Sequence, residues 1–373
     1  RDGRLLALNQ PSIVDFTQQL AGDYTLTVFG AVIVHNSGSP LLETEAAKQQ
    51  VATLLRHEMV GRRASGFVDV VSAPSLELGS SMLLQTTGLG PLRPNTVVLA
   101  WPRRWRRQAD PTTTAANFVQ GVQAARAAAK AVIIPVNLRA FPRSSERVQG
   151  YIDVWWLADH TALPLLIAFL LSRHRCWNHC KLRVLAIAEK GEAPGIREEE
   201  LRQLLASLRI TAEAKVTTLE DEGESDTAHW DWLHESLTTA SQDTSTPHTP
   251  RVCECADHAS TEGSRARRQS LCGRCQGFQA DHLQEKLTGC GTSKFDTCAR
   301  TATMLRRAIK LESMESALVV LDLPLLELAA TDPCLSMDLV DFILQDCFRC
   351  LLIDSSALSA CAATSARPLS PTK

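Results

Sequence analysis

The stretch Gly150-YIDVWWLADHTALPLLIAFLLSRHRCWNHCKLRVLAIAE decides the fold class of this 373-residue chain. A short β-branched run ending in paired tryptophans reads as a strand, and a loop follows it. Leu165-LIAFLL then reads as an apolar helix, and 181–188 as a second strand. Strand, helix and strand in that order form the unit of a parallel sheet.

The same alternation runs outward in both directions. On the N-terminal side, Arg4-LLALN, Leu26-TVFGAVIV, Gly66-FVDVVSA and Thr96-VVLAW read as strands. Ser12-IVDFTQQL and Glu43-TEAAKQQVATLLRHEMV have helical spacing, 117–130 is an Ala-rich helix, and Ala131-VIIPV is a further strand. On the C-terminal side a helix over 197–208 and a strand over 210–218 complete a second α/β unit. The pattern then stops. From about 220 to 293 the chain is acidic, then Ser/Thr/Pro-rich (Thr239-ASQDTSTPHTPR), then rich in Cys, Gly and Arg, the composition of a disordered insertion. Order resumes with a helix over 297–310, the strand Ala317-LVVLDLP, a helix over 335–347 and the strand Cys350-LLID. The expected fold is α/β with a mostly parallel sheet. Its segments are a first half at 1–149, the start of a second half at 150–219, an insertion at 220–296, the end of the second half at 297–355, and a flexible tail at 356–373.

Hydrophobic residues make up 45% and charged residues 21%, with a formal net charge of -2. That balance belongs to a globular protein and points to no nucleic-acid partner. The longest apolar stretch, 163–171, falls well short of the roughly 20 residues that cross a bilayer. The chain opens at Arg1 without the basic-then-apolar run of a secretory signal and reads as a domain of a longer protein. None of the twelve cysteines precedes Cys176, a distribution that suits a reducing compartment rather than a disulfide framework.

Six blocks, in order along the chain, resemble the cytoplasmic C-terminal domain of the cation-chloride cotransporter family. They are Gly88-LGPLRPNTVVLAWPRRWR, Ile152-DVWWL, Leu165-LIAFLL, Trp177-NHCKLRV, Leu208-RITAEAKV, and the span from Arg306-RAIK to Asp322-LP. The resemblance implies two universal-stress-protein-like α/β halves joined by a phosphorylatable linker and assembled as a homodimer beneath the protein's own transmembrane domain. It also implies a place on the cytoplasmic face of a membrane and a regulatory role without enzymatic activity. Kinases and phosphatases would be the partners. Ile210-TAEAKV and the tryptophan block lean toward the potassium-chloride branch. The chain departs from the family at His160, Thr161 and Ala162, where an acidic residue and two glycines are usual. It also lacks the lysines that contribute to adenine-nucleotide binding, since that segment reads Leu20-AGDYTLTVFG.

Candidate functional residues follow from both readings. Ile152, Asp153, Trp155 and Trp156 are structural or interface positions. In an extended segment the two indoles point to opposite faces, one to a core and the other to a covering helix or a partner. Asp153 is a structural hydrogen-bonding residue in this reading. Gly30, Gly88 and Gly90 are the positions at which ATP or ADP would be cradled, but for Gly88 and Gly90, without a following Lys-Ser or Lys-Thr, a structural turn is the safer reading. Cys253, Cys255, Cys272 and Cys275 have thiols that could hold zinc, although their spacing matches no standard finger. Thr246 and Thr249 precede prolines and Ser270 follows Arg267-RQ, patterns that kinases read. Cys176 and Cys180 read as reduced, partly buried thiols. Trp101-PRRWRRQ mixes aromatics and arginines as an RNA-binding loop does, or as a solvated turn after a strand does. His57, Asp69, Asp159 and His160 are too scattered to name a catalytic set.

Overall fold

Strands form where the sequence places uninterrupted Val, Ile and Leu, and in the computed structural model they gather into two sheets. The structure describes residues 12–21, 25–35, 40–88, 92–102, 104–157, 162–188, 193–218, 293–322 and 332–354. The predicted strand Arg4-LLALN lies outside them.

The smaller sheet pairs β1 (Val28–Val34) with β2 (Phe67–Ala73) in parallel, joined by α2 (Leu41–Gly61). Alternation along β1 gives each face its own helix. Ala31 packs with Val51 and Leu55 of α2, and Phe29 packs with Met59 of α2 and Val14 of α1 (Ser12–Leu20). The other face meets α3 (Leu76–Thr86), a helix that the sequence pattern conceals because Gly79, Ser80 and Ser81 depress helix propensity. Ser75 caps it, accepting from the Leu78 amide at 3.2 Å. Gly79 is what permits the approach, since a Cβ there would lie 2.2 Å from Val32 Cγ1.

The larger sheet contains β3 (Thr96–Val98), β4 (Ala131–Val136), β5 (Gln149–Trp155), β6 (His179–Ala188), β7 (Glu213–Thr218), β8 (Leu318–Asp322) and β9 (Cys350–Asp354). Their order is β3-β4-β9-β8-β5-β6-β7. Every pair is parallel except β4–β9. The mixed α/β architecture with a mostly parallel sheet is therefore what forms, and it consists of two parallel blocks of opposite sense. β3 is shorter than the run Thr96-VVLAW, but the Leu99 and Trp101 amides still donate to Ile133 and Pro135 at 2.9 and 3.3 Å.

One face of this sheet carries Ile133, Ile152, Val154, Val184, Leu318, Val320, Leu351 and Ile353, all buried against α1, α5 (Leu163–Arg173) and α6 (Pro194–Ser207). On the opposite face α4 (Pro111–Ala127) connects β3 to β4, and its Arg126 pairs with Asp354.

The chain divides into two compact units, 1–220 with 315–324 and 349–373, and 221–314 with 325–348. Both sheets belong to the first. In the second, α7 (Ser293–Glu312) and α8 (Pro333–Leu344) pair, with Arg306 held 3.3 Å from Asp346 and its guanidinium 4.5 Å from the Phe342 ring centroid.

Candidate functional site

The tryptophan block is β5 and the residue that follows it. Ile152 and Asp153 are fully buried, Trp155 is 1% exposed and Trp156 is 7% exposed. Trp156 joins the core face beside Leu165 of α5, and its amide donates to Leu185 at 2.7 Å. Trp155 shares the opposite face with Tyr151 and Asp153, as strand alternation requires. All four candidate residues thus lie in the interior of this chain.

Asp153 is the chemical centre of that face. It sits opposite Arg183 of β6, whose Nε and Nη2 donate to its two carboxylate oxygens at 2.8 and 2.7 Å. Ser316, just before β8, donates its hydroxyl to the same carboxylate. Arg183 also lies 4.1 Å from the Tyr151 ring centroid, with Glu213 beside it on β7. The Asp153 hydrogen bond, above all, raises the pKa of Arg183 against the opposing effect of burial. Such a fork fixes the register of β5 with β6 and ties in the start of β8, but with a permanently charged partner it relays no proton. The acid in β5 and the cations Lys181 and Arg183 in β6 were the visible sequence signal for this pair; Ser316 carried none.

A second knot lies at the edge where β5 and β6 begin. Trp177 Nε1 donates to Gln19 of α1 at 2.8 Å, Gln19 Nε2 donates to the Pro142 carbonyl at 2.6 Å, and Arg349 donates to the carbonyls of Ala140 and Ala317. Cys176 and Cys180 donate their thiols to the Arg143 and Val148 carbonyls at 3.2 and 3.4 Å. Burial raises both thiol pKa values, that of Cys180 to about 11. Both are free cysteines, and they lie in the turn before β6 and at its start.

The model of the family described as solute carrier family 12 matches this chain over residues 10–139 and 115–355, which takes in both sheets and both sides of the insertion. The chain belongs to solute carrier family 12. One solved structure similar to this solute carrier family 12 chain is described as the crystal structure of the cytoplasmic domain of a prokaryotic cation chloride cotransporter. It shares 12% identity over 95% of each chain, with a TM-score of 0.45.

Among the described residues of this solute carrier family 12 chain, no helix is long and apolar enough to cross a membrane. Nor does any group of three His, Cys, Asp or Glu among them stand ready to hold a metal. The thiols Cys253, Cys255, Cys272 and Cys275, the hydroxyls of Thr246, Thr249 and Ser270, and Gly90 lie outside the described residues. Gly30 is in the middle of β1, where a Cβ would come within 3.2 Å of Leu83. Gly88 has φ +111°, and a Cβ there would lie 2.6 Å from the Leu92 carbonyl oxygen, so the turn after α3 itself demands a glycine. The described residues of Trp101-PRRWRRQ, 101–102 and 104–108, belong to the turn after β3. Trp101 packs edge-on against Phe118, Trp105 is 1% exposed, and Arg106 lies 4.6 Å from the Trp105 ring centroid.

Proposed function

We propose that this chain is the cytoplasmic regulatory and dimerisation domain of an electroneutral cation-chloride cotransporter of the potassium-chloride branch. It works with its own transmembrane domain and is controlled by phosphorylation of the segment between β7 and α7. The observation that carries this reading is the family match together with the strand order. The chain before residue 219 and the chain after 292 share one sheet, with β8 and β9 inserted between β4 and β5. A phosphate on Thr246, Thr249 or Ser270 adds up to about two negative charges to a segment whose two sides are built into that sheet.

The test is chloride-dependent potassium flux by the full-length protein in cells, comparing the natural chain with a Thr246→Ala, Thr249→Ala, Ser270→Ala variant at matched surface abundance. A changed flux supports control through this segment, and unchanged flux sinks it. A requirement for sodium moves the protein out of the potassium-chloride branch. Light scattering on the 373-residue chain is expected to give twice its 40.8 kDa mass; a concentration-independent monomer removes the dimerisation role.

A further inference from the structure

Because β3 and β4 run opposite to the other five strands, the turns that leave them share one sheet edge with the turns that lead into β5, β6 and β7. Arginines occupy every one of those turns. Arg104 and Arg107 follow β3, Arg139 and Arg147 lie between β4 and β5, Arg175 precedes β6 and Arg209 precedes β7, and all six are exposed. Residues 91–150 carry ten Lys or Arg against two Asp or Glu, although the whole chain nets only -2. Both of those acids are engaged with the backbone. Asp110 accepts from the Thr113 amide at 3.0 Å and Glu146 from the Arg143 amide at 3.1 Å. Glu213 beside β6, Glu315 before β8 and Asp346 before β9, the last paired with Arg306, are acids that the edge adds elsewhere.

The turns themselves hold the guanidinium groups outward. After β3 and after β4 the chain passes through a left-handed residue, Arg104 at φ 49° and Asn137 at φ 57°, into a single 3-10 turn. Each turn buries its apolar residue, Trp105 in one and Leu138 in the other. The polar remainder of the turn faces solvent.

We propose that this arginine edge docks on a surface of anionic phospholipid headgroups. Seven strands spaced about 4.8 Å apart spread the arginines over roughly 29 Å, a span that suits a plane of phosphates rather than one phosphate group. Of the aromatics at the edge, Trp101, Trp105, Phe141 and Trp177 are buried and Phe348, before β9, is 43% exposed, so the row of stacking platforms that single-stranded nucleic acid uses is lacking among the described residues. The inference rests on the reading of this chain as the cytoplasmic part of a membrane carrier, which supplies the surface. The attraction acts within a Debye length, about 10 Å at 0.1 M salt, so docking weakens as salt rises.

The experiment is co-sedimentation of the whole 373-residue chain with vesicles of phosphatidylcholine alone or with about a quarter phosphatidylserine. Partition is expected to be at least about a hundredfold higher on the anionic vesicles and to fall with salt. Each Arg→Gln change at the edge should lower it about fivefold, equivalent to about 1 kcal/mol per basic side chain near the surface. Arg107→Gln with Arg139→Gln, and separately Arg175→Gln with Arg209→Gln, should therefore each cost about 25-fold. Arg56→Gln with Arg202→Gln removes the same charge from α2 and α6 and should leave partition unchanged. Equal partition on both vesicle types overturns the proposal, as does an equal fall in all three double variants. Displacement by single-stranded RNA at matched phosphate assigns the edge to nucleic acid instead. No ion flux is read, so failure here leaves the cotransporter reading standing, and absence of cation-chloride flux in cells would not alter vesicle partition.

Discussion

The two sheets differ in how completely they are covered. In the larger one β8 and β9 are buried along nearly their whole length, and Asp153 is buried with them because Arg183 and Ser316 satisfy its carboxylate. In the smaller one only Ala73 of β2 is fully buried, while Phe67 at its start and Val34 at the end of β1 are 64% and 56% exposed. Parallel strands depend on cover from both faces. The larger sheet draws on strands from residue 96 to residue 354, whereas the smaller one leans on α2, α3 and two close glycine approaches. The larger sheet should therefore be the cooperative core, and the smaller sheet should open first.

The largest expected effect probes the larger sheet. Asp153→Ala removes the buried carboxylate that forks with Arg183 and should lower unfolding free energy by roughly 3 kcal/mol in urea titration. A loss under about 1 kcal/mol would mean that the ion pair does not hold the register. Leu55→Ala in α2 should cost about 2 kcal/mol, near the low end for a buried leucine because a partly exposed helix can relax. Amide exchange in β1 and β2 should then speed up while β8 and β9 stay protected; equal acceleration in both sheets would dissolve the contrast.

Smaller effects sharpen the glycine argument. Gly88→Ala places a side chain at a left-handed φ against the Leu92 carbonyl and should cost about 1–3 kcal/mol. Gly30→Ala meets only the flexible end of Leu83 and should stay within about 0.5 kcal/mol. Calorimetry with ATP on that variant also separates the cradle reading from the turn reading. ATP binding that Gly30→Ala abolishes would restore the cradle; heats that match buffer alone would leave both glycines structural.

A further effect is a pH dependence. Burial raises the Cys180 thiol from its ordinary 9.0 to about 11. Between those values the unfolded chain loses the proton first, so the unfolded state binds fewer protons and stability falls as pH rises. The contribution is fully present below pH 9 and is lost toward pH 11. Alkylation of Cys180 by iodoacetamide should accordingly lag behind that of an unfolded control until the pH nears 11. Matching rates at pH 9 would show the thiol to be open to solvent.

Much of this architecture was legible because its signals are local. The runs Gly66-FVDVVSA, Ala131-VIIPV and Cys350-LLID became strands where the residue types placed them, and Leu165-LIAFLL became α5. α3 was not legible, since Gly79, Ser80 and Ser81 carry little helix propensity and the close approach of Val32 to Gly79 is seen only in the fold. Asp153 could be read as structural, but Ser316, 163 residues away, could not be chosen from sequence as its partner.

The sequence by itself determined the element types, the α/β class and the family resemblance, because hydrophobic period and block order are properties of neighbouring residues. Only the tertiary structure decided that β8 and β9 insert between β4 and β5, and that β4 meets β9 antiparallel. That single pairing reverses the sense of one block and brings arginines from four separate turns to one edge. No local pattern records it, because strand order is set by which apolar faces bury one another across the whole chain.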